Sequence, residues 1–123
     1  MYHLGTQREF IARHFLIGGD FGAENFEHSH AYRLEIFLTG PSLDRHGYLI
    51  DLIDLERAVD EVVALYRERL LNETPAFSGL NPSIEHFSRI LHEALMARLE
   101  VPSLTLRVKL WENGRDWAGY GSD

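Results

Sequence analysis

Three histidines and two glutamates have the types and spacing to do chemistry. His28-Ser29-His30 sets two imidazoles two residues apart, which on an extended strand places both on one face. His14 offers a third from an alternating segment upstream. Three neutral imidazoles around one divalent ion leave a fourth tetrahedral position open, the arrangement of a catalytic rather than a structural zinc centre, so Zn2+ is the expected ion. The plainer reading is a pair of exposed or hydrogen-bonded histidines at a strand start. Glu112 follows four apolar residues on its own alternating face, where it must reach water or find donors, because unpaired burial costs several kcal/mol. The paired N–H groups of a guanine-like or pterin heterocycle would serve; pattern alone favours an exposed strand-end residue before Asn113-Gly114. Glu24 stands four residues before His28 in a Gly-rich acidic loop, placed either to move a proton beside a metal or to hold the loop in solvent. His3, His46, His86 and His92 share no spacing with this set and are expected to be structural or exposed.

Composition closes off several other chemistries. With no Cys there is neither a disulfide framework nor a thiolate metal site, so any transition metal must be held by His and carboxylates. Lys+Arg number 12 against 19 Asp+Glu, a net charge of -7 with no dense basic run, which makes nucleic-acid backbones poor partners. The longest apolar stretches are far shorter than a membrane span, and the opening MYHLGTQREF lacks the basic start and apolar run of a secretion signal. A cytoplasmic protein without a membrane partner is expected. Neither a phosphate-binding loop nor a nucleophile elbow is present, since the glycines after Ile17 lack a strand-to-helix context.

These side chains need a sheet to hold them, and the hydrophobic periods supply one. The 123 residues are the size of a single domain spanning 1–123, with no repeat or linker to divide it. Residues 8–17 alternate with Phe10, Ala12, His14 and Leu16 on one face, and residues 28–38 alternate with His28, His30, Tyr32, Leu34, Ile36 and Leu38 on one face, as hairpin partners. Residues 51–71 change to a helical period through Leu55, Val59, Val62, Tyr66 and Leu70, about six turns. A second helix is expected from Asn81 as cap and Pro82 as first helical residue, with Ile84, Phe87, Leu91, Ala94 and Leu95 buried and Pro102 preventing its continuation. Leu104, Leu106, Val108 and Leu110 alternate again, and a short strand over 117–121 follows a turn at Asn113-Gly114. The order is an α+β layer of antiparallel sheet covered on one side by helices.

Taken together, these segments resemble the 6-pyruvoyltetrahydropterin synthase and 6-carboxytetrahydropterin synthase (QueD) family. Phe10 to Leu16 resembles its first strand, Phe-x-Ala-x-His-x-Leu, and His28-Ser29-His30-Ala31-Tyr32 resembles its His-Gly-His-x-Tyr segment. Gly47 to Leu52 is similar to the Gly-x-(Val/Ile)-x-Asp-Phe stretch opening the first helix, with Asp51 one residue late. Leu71-Asn72, Asn81-Pro82-Ser83-Ile84-Glu85 and Val108 to Tyr120 resemble its Leu-Asn, Asn-Pro-Thr-x-Glu and final hairpin. The resemblance implies the tunnelling fold (T-fold), a four-stranded antiparallel sheet with two helices on one face in the order ββααββ. It also implies homohexamers of two stacked trimers, sheets joined edge to edge into a barrel, and active sites at subunit interfaces. By the same resemblance His14, His28 and His30 are zinc ligands, Glu112 anchors a pterin or purine-derived ring, and Ser83, in place of the family Thr, lines the pocket.

The departures define the functional question. The family's catalytic Cys, four residues before the His pair, corresponds to Glu24, and its Asp-His pair corresponds to Arg67 and Glu68. A mechanism that moves a proton with Cys and tunes another base with Asp-His cannot operate unchanged. Superfamily members that use Glu instead of Cys cleave the side chain of dihydroneopterin triphosphate to 6-hydroxymethyldihydropterin, and their Glu stands closer to the His pair than Glu24 does. The leading expectation is a zinc-dependent pterin-binding enzyme with an altered lyase-type reaction, catalysed with Glu24. The competing expectation is a catalytically silent paralogue that keeps zinc and pterin binding, and an ordinary interaction module ranks below both.

Overall fold

The computed structural model describes residues 1–121. Strands β1 (Tyr2–His14) and β2 (His28–Gly40) form a long hairpin, helices α1 (Leu52–Ala64) and α2 (Ile84–Met96) follow, and β3 (Thr105–Trp111) and β4 (Trp117–Gly121) close the chain. The sheet order is β1-β2-β3-β4 with every neighbour antiparallel, so the ββααββ layer expected from the sequence is the architecture found. Leu34, Ile36, Leu38, Leu106, Val108 and Leu110 line one sheet face, against Leu55, Val59 and Val62 of α1 and Phe87, Leu91 and Leu95 of α2, all buried. At one end of this core Phe10, Tyr32, Tyr66, Phe77 and Phe87 pack ring against ring, a rigid floor that matters below.

Element ends differ from the periodicity for identifiable reasons. Strand β1 begins at Tyr2 rather than at residue 8, because residues 2–7 owe their extension to pairing with 35–40 rather than to their own alternation. It stops at His14, short of residue 17, where side-chain amides take over the backbone. Asn72 Oδ1 accepts from Phe15 N and its Nδ2 donates to the Phe15 carbonyl, both at 2.9 Å, while Asn81 Oδ1 accepts from Ile17 N at 2.8 Å. Asn81 is thereby diverted from helix capping. Ser83 caps α2 instead, its Oγ accepting from His86 N at 3.1 Å, and Pro82 lies outside the helix.

Helix α1 ends at Ala64, not at residue 71, although Tyr66 and Leu70 keep the helical spacing. The chain leaves the helix to satisfy the outer edge of β1: Glu68 N donates to the Ile11 carbonyl at 2.7 Å, and Arg13 N to the Arg69 carbonyl at 2.9 Å. An unpaired edge strand exposes donors and acceptors, and covering it outweighs another turn or two of helix. Glu68 accordingly adopts φ 61°, a left-handed conformation that costs a non-glycine residue about 1 kcal/mol. The four histidines expected to be structural or exposed do bond locally: His3 to Thr39, His46 to Arg45, His86 to the Asn81 carbonyl and His92 to the Leu106 carbonyl. Among the described residues no helix is long and apolar enough to cross a membrane.

Candidate metal centre and ligand pocket

The hairpin register assembles the site. His14 is directly opposite His28, and Ala12 is opposite His30, so the period of two puts His14, His28 and His30 on the same face as Tyr32 and the buried core. One ring nitrogen from each of the three lies within 4.8 Å of the others. His14 Nε2 and His28 Nε2 face each other at 2.9 Å. His28 Nδ1–H donates to the Phe26 carbonyl at 2.8 Å, which leaves its Nε2 as a bare acceptor directed inward. The Tyr32 hydroxyl meets His14 Nδ1 at 3.2 Å from the aromatic floor. An imidazole fixed through one nitrogen presents the other to a cation, the usual support of a metal-bound histidine.

His30 completes the fit. Its Nε2 is buried and makes no well-formed hydrogen bond, with Glu112 Oε1 3.3 Å away, and a bound cation would satisfy it. Burial, and then the neighbouring charges of His30 and His28, bring the His14 pKa down to about 4. Burial followed by the His28 charge lowers that of His30 as well. Neutral imidazoles are the form a metal requires. A set of three ring nitrogens suits a divalent transition metal, zinc included, and these residues fit such a group.

Glu112 is not the exposed turn residue that pattern alone favours. Only 24% of its side chain is exposed, and Oε1 lies 3.3 Å from His30 Nε2 and 4.0 Å from His14 Nε2. The Glu112 N–H donates to the Asp116 carbonyl, and Asn113 Oδ1 accepts from the N–H groups of Arg115 and Asp116, so a side-chain-braced loop fixes the carboxylate at the strand end. Burial and then the Glu24 charge raise its pKa, while His28 opposes them. Glu24 itself is exposed in a short 3-10 turn (Gly22–Asn25), and its charge acts on both His30 and Glu112. Its carbonyl accepts from Leu16 N at 2.8 Å, and the Asn25 amide donates to the Leu16 and Gly19 carbonyls. Ser83 sits at the entry to α2, next to Pro82. Tyr32 and Asn72 support the site without being among its expected residues. For Tyr32 the signal was present in its place on the face shared with His30.

A sequence profile described as 6-pyruvoyl tetrahydropterin synthase matches residues 3–123. The chain belongs to this synthase family. A protein of Archaeoglobus fulgidus provisionally named 6-carboxy-5,6,7,8-tetrahydropterin synthase is 29% identical over 116 residues, which cover 94% of this chain and 91% of that one. The solved 6-pyruvoyl tetrahydropterin synthase of Caenorhabditis elegans superposes with a TM-score of 0.88 at 21% identity, covering 99% of this chain and 96% of that one. A Plasmodium vivax 6-pyruvoyltetrahydropterin synthase, solved as a variant in which a glutamate described as catalytic is replaced by alanine, superposes at 0.81 with 17% identity and coverage of 99% and 98%. The last two establish the shared fold.

Arg67 and Glu68 are both exposed, and Glu68 contributes its backbone N–H and carbonyl to the β1 edge. The neutral histidines also set an acid response. Unfolded imidazoles titrate near 6.5 and His14 near 4, so the folded chain binds fewer protons across that window. The metal-free protein should therefore lose up to about 3 kcal/mol as pH falls from 6.5 to 4, with full stability above that range. Glu112, whose carboxyl is raised, contributes the opposite slope just above 4.5. Urea midpoints with a chelator present test the sum, and a flat profile would contradict it.

Proposed function

We propose that this chain is a zinc-dependent enzyme that binds a reduced pterin or related purine-derived heterocycle and alters its side chain by a carbon–oxygen or carbon–carbon lyase reaction distinct from the usual synthase step. The observation that carries this reading is the convergence of three imidazoles beside Glu112, 3.3 Å from His30. Zinc held by His14, His28 and His30 would supply Lewis acidity toward a substrate side-chain oxygen. Tyr32 and the Phe26 carbonyl hold two of the imidazoles in orientation. Glu112 accepts the amino and ring N–H pair of the heterocycle, a charge-assisted bidentate contact that fixes which way the side chain points. Ser83 has its hydroxyl hydrogen free for the ligand while its oxygen caps α2. Glu24 moves the proton; its charge, which acts on His30 and Glu112, supports this role. The chain acts in the cytoplasm as a homohexamer of two stacked trimers, as the family resemblance implies.

Arg67 and Glu68 favour a second reading, a silent paralogue that keeps zinc and pterin binding, because neither supplies the Asp-His chemistry. Turnover of a panel of reduced pterins, dihydroneopterin triphosphate included, by the zinc-loaded protein separates the two. Product formation supports the enzyme, whereas melting shifts without product support the silent paralogue. Glu112→Gln should weaken pterin binding about ten- to hundredfold, because an amide N–H then confronts a ligand donor where a charged acceptor stood. Calorimetric titration with neopterin measures this, and an unchanged affinity would remove Glu112 from the pocket.

A further inference from the structure

Two imidazoles of the cluster rest on different kinds of support. His28 Nδ1 lies 2.8 Å from the Phe26 carbonyl, which can only accept, so the ring proton of an uncharged His28 sits on Nδ1 and its Nε2 is bare. That bare nitrogen is 2.9 Å from His14 Nε2. A hydrogen bond at this distance needs one proton between the two atoms, and since His28 has none to give there, His14 supplies it. An uncharged His14 then has a bare Nδ1, which accepts from the Tyr32 hydroxyl at 3.2 Å. Without a cation the three groups form a one-way relay, from Tyr32 O–H to His14 Nδ1 and from His14 Nε2–H to His28 Nε2.

A metal ligand must give up that proton. His14 Nε2 is the ring atom turned toward the cluster, 4.0 Å from Glu112 Oε1, whereas Nδ1 meets Tyr32 at the aromatic floor. An uncharged imidazole that is bare at Nε2 is protonated at Nδ1, and this N–H needs an acceptor where His14 and Tyr32 are each 1% exposed. A hydroxyl serves both states, because it donates to a bare nitrogen and accepts from an N–H. A carbonyl, the support of His28, serves only the second.

We propose that His14 exchanges tautomers when zinc binds, its ring proton moving from Nε2 to Nδ1, and that Tyr32 is the positioning residue that permits this by reversing from donor to acceptor. The exchange rests on zinc being held by His14, His28 and His30. Neither His14 nor Tyr32 changes charge: Nε2 gives its proton to water, Nδ1 takes one from water, and the tyrosine keeps its own. The negative charge of Glu112, which acts on Tyr32, favours the freed O–H dipole. His28 keeps one tautomer throughout.

Nitrogen-15 spectra of histidine-labelled protein at about pH 8, above the range in which imidazoles ordinarily titrate, read the tautomers directly. Loss of its signals in His14→Gln assigns His14. The metal-free protein should show His14 protonated at Nε2 and the zinc-loaded protein at Nδ1, with His28 protonated at Nδ1 in both. Tyr32→Phe keeps the ring that packs against Phe10 and Phe87, yet should weaken zinc about ten- to hundredfold, because the Nδ1–H of the bound imidazole loses its acceptor. Competition against a chelator of known affinity measures that loss. His14 protonated at Nδ1 in both forms, or bare there with zinc bound, would overturn the exchange, and unaltered zinc affinity in Tyr32→Phe would overturn the role of Tyr32. A parent protein that takes up no zinc would overturn the metal centre itself, a result distinct from either.

Discussion

Replacing His28 and His30 together by alanine should give a folded chain that purifies without zinc, where the unaltered protein carries it stoichiometrically. The two residues supply two of three nitrogens, and a single remaining imidazole does not retain the ion at ordinary concentrations. Folding should survive because the core beneath is apolar and aromatic and does not include either ring. The altered chain should melt where the chelated parent melts, both lacking the stabilisation that binding confers on the native state. With free zinc at 1,000 times its dissociation constant that difference is about 4 kcal/mol. Metal analysis and paired melting curves measure both effects. A parent protein that never takes up zinc would end the proposed chemistry while leaving the fold untouched.

The second large effect falls on turnover. Glu24→Ala should lower kcat by about 10²- to 10⁴-fold, the usual worth of a positioned proton-transfer group, with zinc content and pterin affinity little changed. The turn carrying Glu24 is tied down by the Leu16 N–H on its carbonyl and by the Asn25 amide, while the carboxylate itself is exposed and close enough to shift His30 and Glu112. Anchored backbone and free side chain suit a group that must exchange protons with solvent between cycles. Glu24→Asp should restore part of the rate, because the acid is kept and only its reach shortened. Equal rates for parent and alanine variant on a substrate the parent turns over would falsify the assignment.

The histidine cluster was readable because a strand's period is two. Once His28 and His30 were placed on a strand, their shared face followed, and hairpin pairing brought His14 opposite His28. Glu112 was readable only as a choice, since alternation gives a face but not whether a strand end meets solvent or a neighbour. Its loop, braced by Asn113, supplies what periodicity lacks. The end of α1 was misread for the opposite reason: Tyr66 and Leu70 keep helical spacing, yet the exposed edge of β1 draws the backbone away. Asn81 looked like a cap and is instead a partner for Ile17, a contact 64 positions apart in the chain. Arg33, Arg107 and Lys109 stand apart in the chain, and strand pairing alone brings them to one face of the sheet.

The histidines and Glu24 ride on different kinds of backbone. A one-residue slip in the β1–β2 ladder would swing every imidazole to the opposite side of the sheet, so insertions and deletions within those strands are forbidden. The segment between His14 and His28 faces no such arithmetic and can lengthen or shorten while the metal nest stays put. A lineage with this architecture can therefore relocate its proton carrier, and with it the bond that is broken, by editing a loop.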